Sequence, residues 1–405
     1  MGRMSRLPRG SRARTLELVH AATRRPRTSA SSPDVTVRTV RGPDAVDVLG
    51  EDLDALLRDT HAPTTARRTW LSCWARHHTE FEAVVIAVSR DGVLAAAAPL
   101  AIRSGRSGHE VVVLGHGESD YARLPTRTAA DADVLAGAVR AFLHDLPGAW
   151  SLHLEQLPVD EQALHALRRR LRLAVVEAGD PAPFAPVSQG GPPAVRPNAR
   201  KAARKGHNRL ERDGRHLEVG RHRTAAAVRE LLPELAALRA AREAALGRVS
   251  LPTAAQRAFW FAVLPELAAE SGVEVITLRV DGVLGAYGVA FLDGRAYRIW
   301  DARVSPEFPR YELGHLYRDA ALQTIVTDSL VELDWMRGAE EYKMATATHL
   351  RPTAQLWGSS YRVQTAAPVA RAAWRTQRTA RPWLARAEGA VRARVETVRR
   401  WPAER

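Results

Sequence analysis

The 405-residue chain predicts an α/β (α+β) fold of two side-by-side units, each a mixed, mostly antiparallel sheet flanked by helices, with a basic segment at either end. Three observations carry that expectation. The length exceeds what one hydrophobic core ordinarily serves, so two domains are expected. The tetrapeptide Asp91-Gly92-Val93-Leu94 recurs as Asp281-Gly282-Val283-Leu284, 190 residues on, each time between apolar, strand-like runs. The charge is uneven: residues 1–33 carry a net +7 and residues 362–405 a net +8 of the total +14, leaving residues 34–361 at −1.

In the first unit, expected over 34–178, Val46, Leu49, Leu53, Leu56 and Leu57 recur at helical spacing. A second helix covers 69–74, with Trp70 and Trp74 four apart on one face. Apolar runs at 84–88, 93–102 and 110–114 around the Asp91-Gly92 turn predict three strands. Helices around 131–146 and 160–171 and strands at 151–154 and 173–177 complete the unit. Proline and glycine cluster over 179–195 and predict a linker. The second unit, 196–361, opens on a helix from Pro197 to Asp213, stopped by Gly214. Helices at 224–245 and 253–271 follow, then strands at 274–280, 283–291 and 295–301. A helix beginning at Gly314 and a strand at 331–335 close the pattern. Residues 1–33 and 362–405 show little periodic hydrophobicity and predict mobile basic ends.

Several function classes are excluded at this level. Cys73 is the single cysteine, so an intrachain disulfide and a thiolate metal cluster are both ruled out, as expected of a reducing compartment. The longest apolar run, 93–102, is too short to span a bilayer, and the Arg-rich start has no apolar signal core. A cytoplasmic protein is expected. The fourteen histidines never fall in H-x-x-x-H or H-E-x-x-H spacing, so no metal is expected, and G-x-S-x-G is absent.

An ordered set of residues between 65 and 361 is more specific. It comprises Trp70-Leu71-Ser72-Cys73-Trp74, Ala98-Pro99-Leu100, Leu114-Gly115…Asp120-Tyr121 and Arg200-Lys201…Arg209-Leu210-Glu211. It continues with Tyr311…Gly314 and Leu333-Asp334-Trp335…Gly338…Glu340-Glu341-Tyr342-Lys343. This set resembles the tandem-domain branch of the GNAT acyltransferase superfamily, and within it the CelD-type cellulose-biosynthesis acetyltransferase-like proteins, relatives of the Fem peptidoglycan aminoacyltransferases. The resemblance implies two GNAT-like domains and an acyltransferase that uses acetyl-CoA or another acyl-CoA as co-substrate and no metal. Its acceptor would be an amine or hydroxyl of a small molecule or of a cell-envelope polysaccharide precursor. In the Fem branch the donor is aminoacyl-tRNA. The superfamily's pyrophosphate loop, Q/R-x-x-G-x-G/A, is degenerate here: Tyr311 stands three places before Gly314, and Arg310 is one out of register.

Candidate sites follow. Arg310, Tyr311, Leu313, Gly314 and His315 surround a helix start, where unpaired amides and the helix dipole favour a phosphate. A loop glycine before an amphipathic helix is the plainer alternative. Asp334, Glu340, Tyr342 and Lys343 follow a strand, in the kind of loop that carries reactive groups in α/β sheets. A carboxylate there could accept the amine proton, and Tyr342 or Lys343 could serve the leaving group or oxyanion. Asp301 is an alternative base, and a structural Asp334–Lys343 or Glu–Lys pair is the competing reading. Lysine is scarce, at three of 59 basic residues (Lys201, Lys205 and Lys343), which draws the eye to positions that keep a compact ammonium. Arg200, Lys201, Arg204 and Lys205 form a basic helical face. That face is read as solvated surface, as a clamp for an anionic substrate or donor phosphate, or as a nucleic-acid contact. Residues 185–258 contain no Trp, Tyr or Phe for base stacking, so nucleic acid other than tRNA is not expected. In the tail, Trp374, Trp383 and Trp401 among eleven arginines suit an anionic membrane surface or a docked helix.

Overall fold

The computed structural model describes residues 34–106, 108–187, 197–247 and 252–360. Both basic ends, and with them the membrane contact expected of the tail, lie outside the described residues, as does the stretch 188–196 of the expected linker. The first unit runs through β1 (Val35–Arg41), α1 (Gly50–Asp59), α2 (Arg68–His77), β2 (Glu82–Arg90), β3 (Val93–Gly105) and β4 (Gly108–Val113). Helix α3 (Ala129–Asp145) crosses to β5 (Trp150–Pro158), parallel to β4, and α4 (Gln162–Arg170) leads to β6 (Val175–Ala178) and β7 (Ala182–Pro186). The second unit repeats the plan. It has α5 (Pro197–Arg212), β8 (Leu217–His222), α6 (Ala225–Ala245), α7 (Ala254–Ala269), β9 (Val273–Val280), β10 (Val283–Asp293) and β11 (Ala296–Val304). Then come α8 (Leu313–Thr327), β12 (Glu332–Asp334, parallel to β11), the short α9 (Glu341–Met344), β13 (His349–Arg351) and β14 (Thr353–Ser359).

The fold is mixed α/β, with two mostly antiparallel sheets, each holding one parallel pair and flanked by helices. The duplication is plainest at the two Asp-Gly turns. Asp91 and Asp281 each take φ 51°, and Gly92 and Gly282 take 80° and 81°. That is the left-handed pair a two-residue hairpin requires. Each aspartate then accepts a main-chain N–H next to the neighbouring strand, Asp34 N on Asp91 Oδ1 at 2.9 Å and His216 N on Asp281 Oδ1 at 2.8 Å.

The unit boundaries differ from the expectation, because the two units exchange their last strands. The sheets read β1-β2-β3-β4-β5-β14-β6 and β13-β7-β12-β11-β10-β9-β8. Part of the presumed linker 179–195 is thus β7, an internal strand of the second sheet. The end of the presumed second unit is β14, an internal strand of the first. Two prolines in five residues remove two ladder donors from β7, which is why the sequence reads as a linker. Its carbonyls still serve: Trp335 N donates to Pro183 O at 2.9 Å and Thr348 N to Phe184 O at 3.1 Å.

A shared core joins the units further. Trp70 of α2 is fully buried and meets Phe259 of α7, Phe291 of β10 and Trp300 of β11 edge-on, with centroids 4.9, 5.6 and 5.6 Å away. Its indole N–H donates to Ser119 Oγ at 2.9 Å, so the polar end of this large side chain is also satisfied. Among the described residues no helix is long and apolar enough to cross a membrane. A chain trimmed to 34–361 is expected to keep the fold. One ending at residue 352 loses β14 from the interior of the first sheet and should lose its cooperative thermal transition in circular dichroism.

Candidate active site

The parallel strands β11 and β12 stay in register only from Ala296↔Glu332 to Arg298↔Asp334. Beyond that point β11 follows β10 as far as Val304 but carries one extra residue at Trp300, since Val289 faces Asp301 while Ala290 faces Ile299. Such a bulge bends its strand. β12 instead gives way to a segment that follows β7, through Trp335 N. Among the described residues no main-chain bond or ion pair joins 299–304 to 335–340, so a wedge opens between the strands. The first turn of α8 lies against the end of β11, where a Cβ on Gly314 would sit 3.3 Å from Val304 Cγ2. Intrahelical bonding there begins with His315 N to Glu312 O at 2.8 Å, leaving the Leu313 and Gly314 amides without a main-chain acceptor among the described residues. Two buried donors, Trp335 Nε1 and Arg318 Nε, also lack a partner among the described residues. An unmet buried donor costs about 1–3 kcal/mol, which a ligand acceptor would relieve.

In the first unit the corresponding opening between β4 and β5 is stapled. Glu155 on β5 accepts Gly117 N at 3.1 Å and stands 2.7 Å from His116 Nδ1, while Ala122 N donates to Gln156 O at 3.0 Å. The open wedge belongs to the second unit.

The expected phosphate residues are only partly placed for that duty. Gly314 is exposed at the helix start, but the Arg310 side chain pairs with Asp213 at 2.8 Å, and the Tyr311 hydroxyl donates to the same carboxylate at 3.0 Å. The Leu313 side chain is core, and His315 Nδ1 meets Arg318. The cause is α5, which packs across this loop. Gly206 lies so close that a Cβ there would come within 2.4 Å of Tyr311 O, and Arg209 donates to Arg310 O at 2.6 Å. The basic face of α5 also divides. Lys201, Arg204 and Lys205 point to solvent without an ion pair among the described residues, whereas Arg200 lies towards Asp319 of α8.

Two expected bases are committed to structure. Asp334 is fully buried and accepts the Tyr121 hydroxyl at 2.8 Å, Arg298 at 2.5 Å, Met336 N at 2.7 Å and Arg351. Its lone pairs are occupied, and it joins the units rather than receiving a proton. Asp301 accepts from Arg239 at 2.8 Å and from the Tyr287 hydroxyl at 2.7 Å, and pairs with Arg303 at 2.8 Å. Lys343 is buried, with its ammonium on Arg337 O and 3.1 Å from Glu340. The paired reading therefore holds for Glu340 and Lys343. No Asp334–Lys343 pair forms among the described residues, because Asp334 is taken by arginines. Tyr342 has a half-exposed ring, yet desolvation of its hydroxyl, reinforced by Glu340, raises its pKa above the usual range.

The residue that the sequence-based choice of site missed is Asp120. Gly115, at φ 93°, starts the loop after β4; a Cβ there would lie 2.2 Å from Ser119 Oγ, so glycine is required for Ser119 to reach Trp70. The loop then sends Tyr121 to Asp334 and sets Asp120 beside the 337–343 segment of the other unit. The charges of Arg337 and Lys343 act on the Asp120 carboxyl. Burial pushes Asp120 up to about 6, outweighing both cations. Tyr342 is close enough to feel the Asp120 charge as well as Asp301 and Arg303 at the wedge. The signal available in the sequence was the Asp120-Tyr121 pair itself, but its position opposite Lys343 depends on tertiary structure.

Residues 197–344 match the family described as Acetyltransferase (GNAT) domain. The second unit, which holds the open wedge, thus carries a GNAT-type acetyltransferase domain, and the protein is an acyltransferase. The fold is similar to that of FemX, with a TM-score of 0.57 at 10% identity, over 78% of this chain and 98% of that one. It is also similar to the C-terminal domain of a putative lysylphosphatidylglycerol synthetase from Agrobacterium fabrum, with a TM-score of 0.50 at 13% identity, over 80% and 94% of the two chains. At these identities the likeness is one of fold. Comparison with curated protein sequences finds no match. If Asp334 is a joint, Asp334→Asn should lower stability by about 3–5 kcal/mol, read as a lower denaturation midpoint, because it takes the buried shared charge from Arg298 and Arg351. A fully stable but inactive variant would return Asp334 to the chemistry.

Proposed function

We propose that the protein is a tandem GNAT N-acyltransferase of the CelD type, moving an acyl group from an acyl-CoA to an amine of a small molecule or cell-envelope glycan precursor. The observation that carries this reading is the open wedge of the second unit, which lies within the stretch that matches a GNAT acetyltransferase domain. The donor suits the residues present. The Leu313 and Gly314 amides would hold its pyrophosphate, with Lys201, Arg204 and Lys205 of α5 adding charge for further phosphates, and Trp335 Nε1 would meet a carbonyl of its arm. The thioester supplies an activated acyl group. Asp120 takes the proton of the attacking amine, since an amine must be neutral to attack. Lys343, clamped by Arg337 O and Glu340, lies near that carboxylate. Tyr342 stays protonated at neutral pH and can give its proton to the leaving sulfur.

The α5 cations that have no ion pair among the described residues favour one second reading, in which the donor is aminoacyl-tRNA and the helix meets its backbone phosphates. Calorimetric titration with acetyl-CoA, longer acyl-CoAs and free CoA should show binding. Silence with all of them would overturn the acyl-CoA reading and leave consumption of charged tRNA as the assay. A cytoplasmic site of action, with the basic tail resting on an anionic membrane, belongs to the same proposal.

Asp120→Asn is expected to lower kcat by about 100-fold or more without lowering the melting temperature. The sign follows from linkage. A carboxylate raised from 3.8 to about 6 contributes stability below the lower value, and that stability is lost as pH rises through the upper one. Ionised Asp120 therefore weakens the fold at neutral pH, and asparagine removes that pH dependence. Wild-type activity should rise through about pH 6, and an unchanged rate in Asp120→Asn would remove Asp120 from the chemistry.

A further inference from the structure

Arg318 of α8 has no part in the chemistry above, and its surroundings do not account for its charge. The residue is 4% exposed, yet its Nε–H has no partner and its guanidinium no ion pair among the described residues. Nη2 donates to His315 Nδ1. Burial, reinforced by the Arg318 charge, keeps His315 below the usual imidazole range, so that nitrogen is free to accept. A buried cation without an anion destabilises a fold, and such groups are ordinarily paired. The bond to His315 also fixes where the guanidinium lies. A helical side chain leans back over the preceding turn, and here its head reaches the first turn of α8. At about 100° per residue, Arg318 falls between Gly314 and His315 around the helix. α5 covers a different side, where a Cβ on Gly206 would meet Glu312 Cβ at 3.3 Å and Leu316 Cδ1 at 3.4 Å. The Gly314 side faces Val304 at the end of β11, the strand that borders the wedge.

We propose that Arg318 binds the diphosphate of the donor, its Nε–H and the Leu313 and Gly314 amides serving one anion at the start of α8. This rests on the acyl-CoA reading. Two independent observations meet at that turn: main-chain amides without a main-chain acceptor, and a buried guanidinium without a counter-charge. Each lacks what a phosphate oxygen supplies, and a charged donor binds such an oxygen more strongly than a neutral one. The loop before α8 cannot bring this charge, because Arg310 is drawn off to Asp213 at 2.8 Å. Arg318 supplies it from one turn inside the helix instead. The cations of α5 stand on the far side of the loop and leave the diphosphate itself to Arg318.

The test reads binding and stability in the full chain, not turnover. Arg318→Met removes a buried unpaired charge, so the melting temperature of the ligand-free protein should hold or rise. Calorimetry with CoA should show its dissociation constant raised about tenfold or more in the same variant. Arg318→Lys keeps a charge but not the Nε–H, and should fall between the two. Inorganic pyrophosphate, which carries the diphosphate alone, should compete with CoA for the wild-type chain. Weaker CoA binding in a variant at least as stable as wild type supports the proposal, since an arginine kept for the fold would give the opposite stability change. Wild-type affinity for CoA in folded Arg318→Met overturns it. If Arg318→Met fails to fold, wild-type affinity in Arg318→Lys, with no competition by pyrophosphate, overturns it equally. Failure of the acyl-CoA reading looks different: the wild-type chain itself would bind no CoA, and the proposal would fall with it.

Discussion

The exchange of the final strand between the two sheets is the constraint on which the rest of the structure depends. β14 lies between β5 and β6, and β7 lies between β12 and β13, so neither sheet is complete without a strand from the other half of the sequence. The candidate site is built on the chain on either side of these strands. Asp180, just before β7, holds Arg337, while Pro181 O accepts Gly338 N at 3.0 Å. Arg351, just before β14, reaches Asp334 and Glu332, closing the joint against Tyr121. A rigid-body slide of one unit on the other would have to break main-chain ladders, and the relation between Asp120 and the 337–343 loop is fixed accordingly. That fixity matters for chemistry, because proton transfer needs its partners within hydrogen-bond reach.

Duplication supplied two similar openings, and the sequence has treated them differently. In the first unit a polar staple, His116 with Glu155 and Gly117, crosses between β5 and the loop after β4. In the second unit the bulge at Trp300 and the departure of the chain along β7 leave the strands apart. The first opening is bridged by side chains, whereas in the second the two strands share no main-chain bond beyond Arg298 and Asp334 among the described residues. Glu155 marks the change of role, since the residue that closes one opening also grips an arginine beside the other.

The element order, the duplicated hairpins and the two-unit plan were legible in the sequence because local signals set them. Asp-Gly fixes the hairpin through positive φ, and the spacing of Leu53, Leu56 and Leu57 fixes a helical face. The strand exchange was not legible. β7 is short and proline-rich, β14 is a run whose sheet partner no local pattern specifies, and register between distant strands is a tertiary property. The site was legible only in part. Lys343, Tyr342 and Glu340 do stand in the loop near Asp120. Asp334, the aspartate nearest them in sequence, is consumed by Tyr121, Arg298 and Arg351, all remote from it in sequence. Sequence proximity favoured Asp334 because the arginines that neutralise it could not be seen.

The scarcity of lysine acquires a physical reason at one of its three positions. Arg298 and Arg337 answer more than one carboxylate each, as does Arg351, a task suited to a planar fork with several donors. Lys343 answers a carbonyl and a single carboxylate from a buried position. A compact ammonium meets that pair from one point, whereas a guanidinium of the same charge would need more room in a loop already filled by Tyr342 and Arg337. The same compactness lets the charge lie near Asp120 without the bidentate grip of a guanidinium.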